Sequence, residues 1–263
     1  MKNLSLAKWR AREKSLGVWV SLTDVYSVET LVRMGFDWVC FDLQHGLLSY
    51  SHLLGLMPIA LASNTTPLVR VSQNDAGEIG RALDAGAHGV IVPMVNSAEE
   101  AERAASACRY PLSGGRSFGP MRGVLLSGME YMTTANDEVA CIVMIETESG
   151  LANVAVIANT PGIDAIFVGP MDLCFGLGIQ PGDFENPQFV SALKKIKSAC
   201  NEAGCAAGLF GYSADFARLA LEDGFTFASA GTDIGFMRDG AQAALSVAGS
   251  VVKSAKHKSE VEY

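Results

Sequence analysis

The sequence predicts an α/β protein folded as a single (β/α)8 TIM barrel. Three observations predict it. Eight short runs are apolar on both faces, as parallel strands buried on two sides are. Longer segments of helical period separate them. Several runs are announced by a glycine that closes the preceding helical segment, as in Met34-Gly35-Phe36-Asp37, Ala85-Gly86-Ala87-His88 and Asp223-Gly224-Phe225. A helix that ends in glycine and turns into a strand is the second half of a β/α repeat, and 263 residues suit eight such repeats. An open doubly wound sheet would carry a glycine-rich phosphate turn after its first strand, and none follows Val18–Leu22.

In order, the strands are expected at Val18–Leu22, Trp38–Asp42, Pro67–Val71, Gly89–Pro93, Val139–Glu146, Ala165–Gly169, Ala206–Phe210 and Thr226–Ala230. Val25, Val28, Leu31 and Val32 give the first intervening helix its apolar face, and Ile79, Ala82 and Leu83 give another. A third carries Phe189, Leu193, Ile196 and Cys200, with Asn186 as N-cap and Pro187 at its first position. A fourth carries Phe216, Leu219 and Ala220 and closes at Gly224. A last helix is expected over Ile234–Val252, with Ala241, Ala244, Leu245, Ala248 and Val251 at helical spacing. Two segments break the rhythm. Residues 110–137 are too long for a simple connection, and a lid or binding loop over the barrel mouth is expected there. The Gly- and Pro-rich stretch Asp172–Phe184 follows the sixth strand at that mouth.

No composition break divides the chain, so one domain is expected over residues 1–252, with a flexible, lysine-bearing tail over 253–263. A hydrophobic fraction of 49% and a charged fraction of 18% describe a well-cored globular protein. A net charge of −8 argues against a nucleic-acid partner, which would need clustered Lys and Arg. No apolar stretch reaches the roughly 18–20 residues of a membrane span. Met1–Arg12 lacks the apolar core of a signal peptide. The six cysteines form no C-x-x-C pair and lie mostly in apolar runs, as buried thiols in a reducing compartment do. A soluble, cytoplasmic protein is expected.

Polar residues sit at the ends of the strands. His45, Arg70, Glu146, Asp172 and, more weakly, Asp233 would all face one mouth of a parallel barrel. Asp42 lies within reach of His45 and could fix its tautomer for general-base work, although a capping Asp beside a surface His is the plainer reading. Arg70, flanked by Val69 and Val71, must meet an anion. That anion is either a structural carboxylate or a substrate carboxylate or oxyanion. Glu146 follows four apolar residues, and Asp172 follows the next strand. They are either ion-pair and cap residues or two carboxylates sharing a hard cation such as magnesium or manganese. The Gly169–Pro170 turn leaves the N–H groups of Met171 and Asp172 at a helix start, where a carboxylate can sit.

Phe41-Asp42-Leu43-Gln44-His45-Gly46, Pro67-Leu68-Val69-Arg70-Val71, Leu83-Asp84-Ala85-Gly86-Ala87 and Val92-Pro93-Met94-Val95 follow one another in this order. Arg109-Tyr110-Pro111, Arg116-Ser117-Phe118-Gly119-Pro120, Met144-Ile145-Glu146-Thr147 and Val168-Gly169-Pro170-Met171-Asp172-Leu173 continue the series. Together, from about Gly17 to about Gly240, they resemble the class II pyruvate aldolases of the HpcH/HpaI type. That resemblance implies a barrel of the phosphoenolpyruvate/pyruvate type. It implies Glu146 and Asp172 as ligands of a divalent metal (magnesium or manganese, with cobalt a further option). It implies Arg70 on the keto or enolate oxygen, and His45, oriented by Asp42, as acid/base. The substrate carboxylate would meet the N–H groups of Met171 and Asp172. A homo-oligomer, a hexamer arranged as a trimer of dimers exchanging their last helix, is also implied. The chain departs from many members at Met171, Cys174, Gln44 and Gly123-Val124-Leu125-Leu126, which bears on substrate fit and on the aldehyde side of the pocket.

The expected activity is cleavage of 4-hydroxy-2-keto acids to pyruvate and an aldehyde. No lysine stands at the expected strand ends, which disfavours a Schiff base and leaves metal catalysis. A related carbon–carbon lyase, an oxaloacetate decarboxylase or a non-catalytic keto-acid-binding barrel are the alternatives.

Overall fold

The computed structural model describes residues 2–259. Helix α1 (Leu4–Arg10) precedes β1 (Ser15–Val20), α2 (Val25–Val32), β2 (Trp38–Asp42), α3 (Tyr50–Leu61), β3 (Thr66–Arg70), α4 (Ala76–Asp84), β4 (Gly89–Val92) and α5 (Ala98–Cys108). Two further helices, α6 (Met121–Ser127) and α7 (Tyr131–Glu138), lead into β5 (Ala140–Ile145), α8 (Glu148–Ala152) and α9 (Val154–Ala158). Strand β6 (Ala165–Val168) is followed by α10 (Pro170–Gly176), α11 (Pro187–Ala203), β7 (Ala206–Leu209), α12 (Ala214–Glu222), β8 (Phe227–Thr232) and α13 (Asp233–Ser259). The eight strands are parallel and close in sequence order, with β8 returning to β1. This is the (β/α)8 barrel read from the sequence, with each expected strand in place. The first strand starts three residues earlier than expected, because Ser15 to Gly17 pair with Phe227 to Ser229 of β8.

The two-sided apolar runs divide by alternation. Val18, Val39, Phe41, Val69, Val90, Val143 and Val168 face outward to the helices. Trp19, Trp38, Cys40, Leu68, Ile91, Ile142, Phe167 and Phe227 fill the interior. Glycine makes room for the rings: a Cβ on Gly17 would lie 2.0 Å from the Trp38 indole. Deleting one such buried ring costs about 3–5 kcal/mol.

Helix α1 closes the end of the barrel opposite the strand C-termini. Asn3 caps it by accepting from the Leu6 N–H at 2.9 Å. Its Trp9 stacks on Phe227 with centroids 4.2 Å apart. Among the outer helices, α11 starts as expected, with the Asn186 side chain accepting from Gln188 N–H. Gly35 and Gly224 take left-handed φ values of +94° and +102°, which glycine adopts without a Cβ clash.

The expected lid is a correction. Residues 110–137 join α5 to β5, so they lie at the α1 end of the barrel rather than at the mouth. Arg116 anchors them there, with Nη2 2.7 Å from Oδ1 of Asp84, the last residue of α4. Asn3 at the same end donates to the carbonyls of His88 and Glu138. Within the segment Phe118, Met121, Leu125, Leu126 and Met129 are exposed.

Helix α13 runs beyond the expected end at Val252 to Ser259, and residues 260–263 of the expected tail lie outside the described residues. Every residue from Phe236 to Ala248 is exposed. Among the described residues no helix is long and apolar enough to cross a membrane.

Candidate active site

Asp42 and Arg70 end β2 and β3 as direct register partners. The arginine grips the carboxylate with two hydrogen bonds, Nε to Oδ1 at 2.9 Å and Nη2 to Oδ2 at 2.6 Å. Its guanidinium also lies 5.1 Å over the Trp19 ring. Burial works to raise the Asp42 carboxyl, but the bonds and charge of Arg70 prevail and hold it below the usual carboxylate range.

This pairing corrects the expectation that Asp42 orients the His45 imidazole. Asp42 Oδ1 accepts from the backbone N–H groups of Gln44 and His45, at 3.0 and 3.1 Å, and the rest of the carboxylate belongs to Arg70. Asp42 therefore shapes the turn that carries His45 and leaves its ring exposed at the mouth.

Glu146 follows β5 directly and is buried. Its Oε1 accepts from the Met94 N–H at 2.7 Å. Burial, reinforced by the nearby charge of Asp172, pushes its pKa up to about 7, while the Met94 N–H and Arg70 act the other way. Gly169 admits this carboxylate: a Cβ there would lie 2.5 Å from Glu146 Oε2. Asp172 is exposed in the first turn of α10, so the two carboxylates meet across the ends of β5 and β6. Among the described residues no group of three or more His, Cys, Asp or Glu surrounds a single point. The arrangement is thus one buried and one exposed carboxylate of like charge, a pair that could hold a hard cation.

Asp233 does not join this set. Its carboxylate accepts from the N–H groups of Ser21, Leu22 and Ile234 at 2.8–3.1 Å. It ties the end of β1 to the start of α13, so its role is structural.

Several contributors escaped sequence reasoning. Met94, just past β4, holds a left-handed φ of +57°, and nothing in Val92-Pro93-Met94-Val95 signals it. Tyr212, after β7, has its hydroxyl near the Met171 backbone. Burial and the Asp172 charge raise its pKa to about 12. Its ring meets Phe210 edge-on at 5.0 Å, and Phe210 meets Trp19 at 5.2 Å. One wall of the mouth is therefore aromatic from Arg70 to Tyr212. The sequence cue was the Phe210-Gly211-Tyr212 run at a strand end.

The comparisons with known proteins agree with this barrel. The HpcH/HpaI aldolase/citrate lyase family model matches residues 15–239. A hydroxypyruvate/pyruvate aldolase of Rhizorhabdus wittichii is 37% identical over 230 residues, covering 87% of this chain and 92% of that protein. A 4-hydroxy-2-oxo-heptane-1,7-dioate aldolase of Salmonella typhimurium is 33% identical over 246 residues, covering 92% of this chain and 93% of the other. A crystal structure of an HpcH/HpaI aldolase/citrate lyase family protein from Burkholderia cenocepacia superposes with a TM-score of 0.86 at 30% identity, covering 94% of this chain and 98% of that one. The chain belongs to the HpcH/HpaI aldolase/citrate lyase family.

Proposed function

We propose that this protein is a divalent-metal-dependent aldolase, a lyase that cleaves 4-hydroxy-2-keto acids reversibly to pyruvate and an aldehyde. The observation that carries this reading is the opposition of Glu146 and Asp172 beside Arg70. A carboxyl whose pKa is raised by burial, and further by a second carboxylate beside it, belongs to a pair that a hard cation would relieve. Two carboxylates leave coordination positions for waters and for the substrate's own oxygens. Held by Glu146 and Asp172, magnesium or manganese (or cobalt) would act as a Lewis acid on the carboxylate and keto oxygens of a 2-keto acid.

The remaining steps belong to the chain. Asp42 takes Nε and Nη2 of Arg70, which leaves Nη1 to face the developing enolate oxygen. The Asp42 pairing fixes the guanidinium before substrate arrives, so little reorganisation is needed. His45 takes the proton from the C4 hydroxyl in cleavage and returns one in condensation, through a water. The N–H groups of Met171 and Asp172 receive the substrate carboxylate at the start of α10. The names of the two aldolase relatives support this substrate class. A hexamer, a trimer of dimers, is proposed for the assembly. The exposed Phe236, Met237 and Leu245 of α13 support it, as does the exposed apolar surface around α6.

Proton NMR in D2O tests the chemistry without knowledge of the aldehyde. The methyl signal of pyruvate should decay in the presence of enzyme and Mg2+, because making the enolate exchanges those protons. A signal that persists as long as in the enzyme-free control would refute the proposal. The citrate lyase branch in the family description keeps a related lyase in view, and that alternative would cleave its own substrate without exchanging pyruvate.

A further inference from the structure

Met94 is a non-glycine residue held in the left-handed region, where its side chain meets the backbone unfavourably. Such conformations persist when neighbouring contacts impose them, and they gather at functional sites. This one has a visible consequence. The turn swings the Met94 N–H across to Glu146 Oε1, 2.7 Å away, and so fixes one oxygen of the buried carboxylate.

The contacts that impose the turn converge on Asn96. Its Nδ2 donates to the Met94 carbonyl at 2.8 Å. Its Oδ1 accepts from the Thr147 hydroxyl, on the residue next to Glu146. Thr147 Oγ1 in turn accepts from the Gly150 N–H at 2.9 Å, which directs its own proton toward Asn96. The Asn96 backbone is also committed, with its N–H on Glu100 Oε2 and its carbonyl on Asn153 Nδ2, both at 2.7 Å. The Asn96 amide therefore bridges both sides of the Met94–Glu146 hydrogen bond. Its carboxamide donates to the carbonyl on one side and accepts from the hydroxyl on the other. An aspartate would set a negative charge against the Met94 carbonyl, and an alanine would leave both groups unheld.

We infer that Asn96 is a positioning residue: it locks Met94 in the left-handed turn and thereby holds the Glu146 carboxylate in its metal-ready orientation. The inference rests on the reading of Glu146 as a metal-holding carboxylate. Outer partners that orient metal ligands typically change affinity by about 10–100-fold when removed.

Manganese binding tests it independently of turnover. Mn2+ is titrated into full-length protein and the unbound ion is followed by EPR, for wild type, Asn96→Ala, Met94→Gly, Met94→Gly/Asn96→Ala and Glu146→Gln. Asn96→Ala is expected to raise the Mn2+ dissociation constant by about tenfold or more. Glycine accepts the left-handed turn without a brace. The Asn96→Ala change should therefore have little effect when position 94 is glycine, and that pair gives the answer even if Asn96→Ala alone fails to fold. Wild-type affinity in a folded Asn96→Ala protein, or an undiminished tenfold loss in the glycine background, would overturn the inference and leave the Glu146 reading intact. Equal binding by wild type and Glu146→Gln would instead remove the Glu146 reading, and the inference with it.

Discussion

Arg70 and Asp42 form a two-bonded ion pair across the ends of β2 and β3, with the carboxylate almost wholly buried. Two of the arginine's nitrogens neutralise a buried charge, and in the proposed mechanism the third faces the substrate.

Arg70→Ala should lower kcat by about 10²–10³, the usual loss when a charge-stabilising group leaves a developing oxyanion. It should also destabilise the fold by about 3–5 kcal/mol, because Asp42 is left buried and unpaired. Adding Asp42→Asn should recover part of the stability and none of the turnover. Urea melts and steady-state kinetics on the single and double variants check this. Wild-type turnover in Arg70→Ala would make the pair purely structural.

Glu146 titrates at about 7 in the folded chain against about 4.5 for an ordinary glutamate. Its raised pKa contributes stability that is fully present below the unfolded value and is lost as pH rises through 7. Glu146→Gln imitates the protonated carboxyl. Measured in EDTA, it should match wild type near pH 4.5 and exceed it by about 3 kcal/mol at pH 8. Equal stability at pH 8 would show that the carboxylate is well solvated.

His88 opens β4 from the α1 end, and neither of its buried ring nitrogens has a partner among the described residues. Burial lowers its pKa from 6.5 to about 4. The unfolded chain then binds the extra proton, so stability is lost as pH falls from about 6.5 through 4, by about 3 kcal/mol in all. His88→Leu should leave stability at pH 7.5 largely unchanged and flatten this acid limb. An acid limb as steep as that of wild type would contradict the assignment.

The exposed run of α13 leads to a prediction of assembly. Light scattering at micromolar concentration should give a mass near six times the 27.8 kDa chain. A mass near 28 kDa would refute the hexamer and leave the catalytic reading untouched.

Much of this molecule is legible in the sequence because burial on both faces leaves a mark. Trp38–Asp42 reads as a strand since Val39 and Phe41 pack outward while Trp38 and Cys40 pack inward. His45, Arg70, Glu146 and Asp172 are legible because a parallel barrel delivers every strand end to one mouth. What the sequence concealed depends on pairings across space. Asp42 reads as a neighbour of His45, three residues on, yet its partner is Arg70 on the adjacent strand. Residues 110–137 read as a lid by length alone, whereas the helix Ala98–Cys108 before them carries the chain to the far end of the barrel. The left-handed Met94 is bonded to Asn96, two residues on, and Asn96 in turn meets Thr147 across space, a pairing that no local pattern encodes.

Metal-dependent production of pyruvate is the central claim, and a coupled lactate dehydrogenase assay tests it most directly. A 4-hydroxy-2-keto acid is supplied, and NADH oxidation is followed with enzyme as purified, with EDTA, and after Mg2+ or Mn2+ is returned. Pyruvate should form, cease with EDTA and resume with metal. Turnover that persists unchanged in EDTA would contradict the account.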